Sequence, residues 1–81
     1  MEVVVRLFAR ARDLAGADRV QLELPEGATV GELRRRLAQA YPALGKLVER
    51  SAIAVADEFA QDTDALSAGA EIALLPPVSG G

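Results

Sequence analysis

TVGELRRRLAQAYP, residues 29–42, reads as the one main helix of the chain, and most of what flanks it reads as strand. TVGE is a capping box: the Thr29 side chain accepts from the amide of Glu32, and the Glu32 side chain reaches back to the amide of Thr29. Val30, Leu33, Leu37 and Ala40 or Tyr41 recur at helical spacing and form a single apolar stripe. Arg34, Arg35, Arg36 and Gln39 fall largely on the other side, where they read as a solvated face, with Glu32 one turn from Arg36 as an ion-pair partner. Pro42 ends the helix, because the residue before a proline is pushed out of the helical region. Residues 43 to 50 add a short turn that lays Leu44 and Leu47 over the core.

Upstream, residues 2 to 9 alternate as a strand, and RARDLAGAD reads as a loop with at most a helical turn near Leu14. RVQLEL, residues 19–24, points Val20, Leu22 and Leu24 one way and Gln21 and Glu23 the other, and PEGA stops it. Downstream, residues 53 to 56 give a third strand. A tight turn at Asp57 and Glu58 leads to a short strand carrying Phe59, DTDALSAGA connects, and EIALLP closes the sheet. The first and last strands are among the most continuously apolar, which suits the centre of a sheet covered on one face by the helix. This order describes an α+β chain with the β-grasp, or ubiquitin-like, architecture: a mixed sheet under one main helix. The rival is another small α+β sandwich with different strand pairing. Residues 1–75 form the domain, and residues 76–81 an extended, flexible tail ending in Gly-Gly.

Composition removes several kinds of chemistry. Eighty-one residues suffice for a single core. The chain has neither cysteine nor histidine, so disulfides, cysteine-ligated metals and a serine–histidine mechanism are out. A formal charge of −3 disfavours nucleic acid and anionic membrane as partners. The Asp62-Thr63-Asp64 run lacks the glycine and glutamate of a calcium loop, so no metal site is expected. No apolar stretch is long enough to span a bilayer and no signal-peptide pattern opens the chain, so a cytoplasmic location is expected.

Two features remain. Glu2 and Arg6 mark the wet face of the first strand and Glu71 that of the last, which places Val4, Phe8, Ala73 and Leu75 on the sheet face away from the helix. Phe8 and Leu75, extended by Phe59, then form either a partner-binding patch or ordinary exposed surface. The other feature is the tail PPVSGG. Pro76 and Pro77 stop the strand and hold the chain extended, and Val78 and Ser79 are modest in size. Gly80 and Gly81 are the thinnest backbone available, suited to a narrow tunnel. The reactive group at the end is the ionised carboxylate of Gly81. It becomes an electrophile only when activated, most simply as a mixed anhydride with AMP. The tail is then a swinging arm, the other reading being a frayed terminus.

VVVRLFARARDLAG, TVGELRRRLAQAYP and LSAGAEIALLPPVSGG together resemble the small subunits of molybdopterin synthase, a family of ubiquitin-like sulfur carriers, essentially from end to end. The resemblance implies that an ATP-dependent, ubiquitin-activating-like adenylyltransferase forms a transient acyl-adenylate at Gly81. A sulfur donor protein then converts it to a thiocarboxylate. The loaded tail enters the large subunit, in a complex of two small and two large subunits, and gives sulfur to cyclic pyranopterin monophosphate to build the molybdopterin dithiolene. The chain is then not an enzyme by itself and binds no cofactor stably, ATP being consumed by the activating enzyme. Phe8, Phe59 and Leu75 occupy the family's hydrophobic contact positions, with Pro76, Pro77, Val78, Ser79 and Gly80 leading Gly81 to the partner. Ala56 departs from the family's frequent asparagine, and Leu74 and Leu75 from its aromatics. The same tip also fits a sulfur carrier for thiazole, transfer-RNA thiolation or cysteine, a ubiquitin-like protein modifier, or a purely structural ubiquitin-like domain.

Overall fold

The computed structural model describes residues 1–77. In chain order the elements are β1 (Glu2–Leu7), α1 (Ala9–Ala15), β2 (Arg19–Glu23), α2 (Val30–Ala40), a 3₁₀ turn (Pro42–Leu44), α3 (Gly45–Arg50), β3 (Ala52–Val55), β4 (Glu58–Ala60) and β5 (Glu71–Leu75). The five strands form one sheet in the order β2-β1-β5-β3-β4. β1 and β5 run parallel at its centre, with Val5 beside Ile72 and Leu7 beside Leu74, while the other pairings are antiparallel. This is the mixed sheet of a β-grasp.

Alternation decides which face is covered. Val3, Val5 and Leu7 of β1, Val20 and Leu22 of β2, Ile53 of β3 and Ile72 and Leu74 of β5 all point to the helices and are buried. Val30, Leu33 and Leu37 of α2 meet them, joined by Leu44 and Val48. Each such side chain contributes about 1.5–3 kcal/mol on burial, so this one layer carries most of the stability.

α2 begins as its sequence dictates, with Thr29 Oγ1 accepting from the Glu32 amide at 3.2 Å. The capping box is only half made. Glu32's carboxylate turns instead to Arg35 and Arg36, and the hydrogen bond and charge of Arg35 hold it below the ordinary glutamate range. Gly31 allows a close approach here. Its amide donates to Asp62 O at 3.0 Å, and a Cβ at residue 31 would lie 3.3 Å from that oxygen.

Four local expectations need correction. RARDLAG is not a loop: Ala9–Ala15 is a two-turn helix closed by Gly16 in the left-handed region, φ 71°. Residues 43–50 make a 3₁₀ turn running into α3, with Pro42 at the N-terminal position that its fixed φ favours. The β3–β4 turn sits one residue earlier than expected. Ala56 and Asp57 both have positive φ, 51° and 67°, and Glu58 pairs with Val55, giving a two-residue hairpin loop of the primed kind. Arg34 is no member of a solvated face. Its guanidinium donates to Asp62 Oδ1 at 2.8 Å, to Val48 O at 2.5 Å and to Ser51 O at 2.8 Å, tying α2 to the end of α3.

Candidate functional site

The helices leave the other sheet face open. The register lines up one row across all five strands: Arg19, Arg6, Ala73, Ala54 and Phe59. A second row, one pleat toward the end of β5, carries Leu75 opposite Ala52, with Phe8 continuing β1 beside it. The face therefore has two kinds of relief. Bulky groups stand at its margins, and three alanines (Ala52, Ala54 and Ala73) make a shallow floor between them.

Phe59 is 79% exposed, the more exposed of the two large apolar side chains that are open to solvent among the described residues. Leu75 and Phe8 are half-buried. Phe8 does not stand alone, because the Arg6 guanidinium lies 5.3 Å from its ring centroid, within cation–π range. Phe59 does not touch the strand that bears Leu75. β3 lies between them, so the two reach a common partner only across the alanine floor. Sequence reasoning does not single out the part played by Arg6 and the alanines. Arg6 serves there only as a marker of the wet face, and alanine carries no signal of its own.

Pro76 and Pro77 come directly after β5, the first half-buried and the second exposed. Lacking an amide hydrogen, neither continues the ladder. Val78, Ser79, Gly80 and Gly81 lie outside the described residues. Because β1 and β5 are parallel, Phe8, Leu75 and the start of the tail share one end of the molecule. The partly apolar face thus ends at the root of the Pro-Pro segment.

Three side chains able to do chemistry are engaged elsewhere. Ser51 Oγ donates to Leu47 O at 2.6 Å. Asp62 pairs with Arg34, and Asp64 accepts from the Gln61 amide at 2.8 Å, so both acids of that loop serve its conformation. Among the described residues no helix is long and apolar enough to cross a membrane.

Comparison with known proteins agrees with this fold. The model of the ThiS family matches residues 5–81. The molybdopterin synthase sulfur carrier subunit of Chlamydomonas reinhardtii is 36% identical, with all of both chains covered. Among solved structures, small archaeal modifier protein 1 of Haloferax volcanii superposes with a TM-score of 0.87 at 35% identity over the whole of both chains. A protein–protein complex of subunits 1 and 2 of the molybdopterin-converting factor of Helicobacter pylori contains a chain that matches with a TM-score of 0.71 at 29% identity, again over all of both. By a family match spanning nearly its whole length, and by the fold that goes with it, the chain belongs to the ThiS family of ubiquitin-like sulfur carriers.

Proposed function

We propose that this chain is the sulfur-carrying small subunit of a molybdopterin synthase and that Gly81 is its working residue. The observation that carries the reading is the family match, which runs through the Gly-Gly tip to residue 81. In this reading a ubiquitin-activating-like adenylyltransferase joins the Gly81 carboxylate to AMP with release of pyrophosphate. Sulfide delivered by a sulfur donor protein then attacks the acyl carbon and displaces AMP, leaving a thiocarboxylate. The sheet face of Phe8, Leu75 and Phe59 seats the large subunit, while Pro76 to Gly80 lead the sulfur to cyclic pyranopterin monophosphate. The spent tail returns as a carboxylate, and two loaded chains complete one dithiolene, in keeping with two small and two large subunits.

The physical logic favours a tethered donor. A thiocarboxylate sulfur is a soft anion, nucleophilic at neutral pH. Holding it inside a partner's pocket raises its effective concentration and shields the acyl group from water. The chain supplies position and the partner supplies the catalytic groups, so it is not an enzyme alone. It needs no resident cofactor, and ATP is spent by the activating enzyme. The setting is the cytoplasm.

Thiocarboxylated protein mixed with its large subunit and cyclic pyranopterin monophosphate should yield molybdopterin, and a chain ending at Gly80 should yield none. Absence of product from the loaded chain would refute the reading. A second reading, a protein modifier joined through Gly81 to lysines, is favoured by the likeness to small archaeal modifier protein 1. Intact-mass analysis from native cells separates the two. Exchange of OH for SH marks a carrier, whereas a ladder of conjugates marks a modifier.

A further inference from the structure

A second surface lies on the helical side. α1 and the Pro42–Arg50 segment enclose a cleft of about 290 Å³ lined by Arg10, Leu14, Ala43, Lys46, Leu47 and Arg50. Its floor is apolar and its rim is cationic. Leu14 is 38% exposed and takes no part in the sheet-face site. Among the described residues Arg10, Lys46 and Arg50 form no ion pair, although Asp13 and Glu49 stand three residues from Arg10 and Lys46 on the same helices. Lys46 and Arg50 are one helical turn apart, a like-charged spacing that repels. Three unpaired cations thus surround one hollow in a chain of net charge −3.

We propose that this cleft docks an acidic peptide segment of a partner protein, with one apolar side chain seated against Leu14 and Leu47 and carboxylates meeting the three cations. Charge complementarity selects the occupant. A compact oxyanion such as phosphate needs convergent fixed donors. Here the cations ride on exposed, flexible side chains, and the floor would stay wet under a small ion. A peptide with one apolar residue flanked by acids covers both.

The cleft's position gives the docking a purpose. Arg10 comes after Leu7, which lies beside Leu74, and Arg50 precedes Ala52, which lies opposite Leu75. Two of the three cations thus sit at the end of the fold from which the tail departs, on the side opposite the alanine floor. A partner that holds the tail would grip the domain from both sides of its root. This purpose rests on the tail being the working part. The binding itself is measured without any sulfur transfer, so either idea can fail while the other stands.

The test uses the full chain labelled with ¹⁵N and the blocked peptide Glu-Glu-Leu-Glu-Glu. Saturable amide shifts confined to residues 10–14 and 43–50 are expected, fading as salt is raised. Replacing the peptide's leucine by serine should weaken binding severalfold. The double change Lys46→Glu and Arg50→Glu should weaken it at least about tenfold, whereas Arg19→Glu on the opposite face should leave it unchanged. Should the double variant fail to fold, Leu14→Ser must still lower the affinity severalfold. No saturable shift in those segments, an equal response to inorganic phosphate, equal loss in Arg19→Glu, or shifts that arise from self-association on concentrating the free chain would each overturn the proposal.

Discussion

Phe59→Ala isolates recognition from folding. The ring is 79% exposed, pairs across the hairpin only with Ala54 and contributes nothing to the core. Its loss should therefore leave thermal stability within about 0.5 kcal/mol. A phenylalanine of about 200 Å² with that exposure offers a partner roughly 160 Å² of apolar surface. Full coverage at about 25 cal/mol per Å² is worth about 4 kcal/mol. Alanine retains part of that area, so truncation should cost about 2–3 kcal/mol, a weakening of roughly 30- to 150-fold. Isothermal titration of each variant against the cognate large subunit measures this directly, with thermal denaturation as the folding control. Leu75→Ala, half-buried already, should lose less than Phe59→Ala. An affinity within threefold of the parent in Phe59→Ala would refute the assignment of this face as the seat of the partner.

The remaining expectations concern the scaffold. Arg34→Met keeps the buried stem but removes three hydrogen bonds, two of them to carbonyls at the end of α3. It should cost about 2–3 kcal/mol, lowering the melting temperature by roughly 10–20 °C. Asp62→Asn touches only the exposed arm and should cost under about 1 kcal/mol, and equal losses would show that the carbonyl cap is not what matters. Ala56→Asn places a residue that tolerates the left-handed region at φ 51° and should raise stability by about 0.5–1 kcal/mol, read as a rise in denaturant midpoint. A fall would mean that the hairpin is unstrained. Glu32 has a depressed pKa through Arg35, so its contribution is present above the ordinary glutamate value of 4.5 and lost as pH falls through the lower folded one. The stability gap between the parent chain and Glu32→Gln should accordingly close in acid titration below about pH 4.5, and a gap that persisted there would contradict the pairing.

How much was legible in the sequence depended on whether a residue's neighbours were local. β1, β2 and α2 follow from alternation and from the Thr29 cap, because those signals lie within a few residues of one another. The outward placement of Phe8 and Leu75 follows from parity with Glu2, Arg6 and Glu71. α1 is not legible, because its sole buried residue is Ala11, which draws no apolar stripe, and its Leu14 faces outward into the cleft. The sequence points to a hairpin one residue late, because Ala56, a poor left-handed residue, occupies a position that chemistry assigns to asparagine or glycine. The role of Arg34 is hidden, because its partners, Val48, Ser51 and Asp62, come from segments that only the fold brings together. The same is true of the row from Arg19 to Phe59, which exists only once five strands are in register.

The placement of β5 between β1 and β3 carries a consequence for timing. Until that strand docks, the sheet is two separate ribbons, β2-β1 and β3-β4, with no bond between them. Leu75 and the prolines after it acquire a fixed heading only at the step that welds the ribbons together. A partner that bound the face beside that junction would therefore favour chains whose sheet has closed.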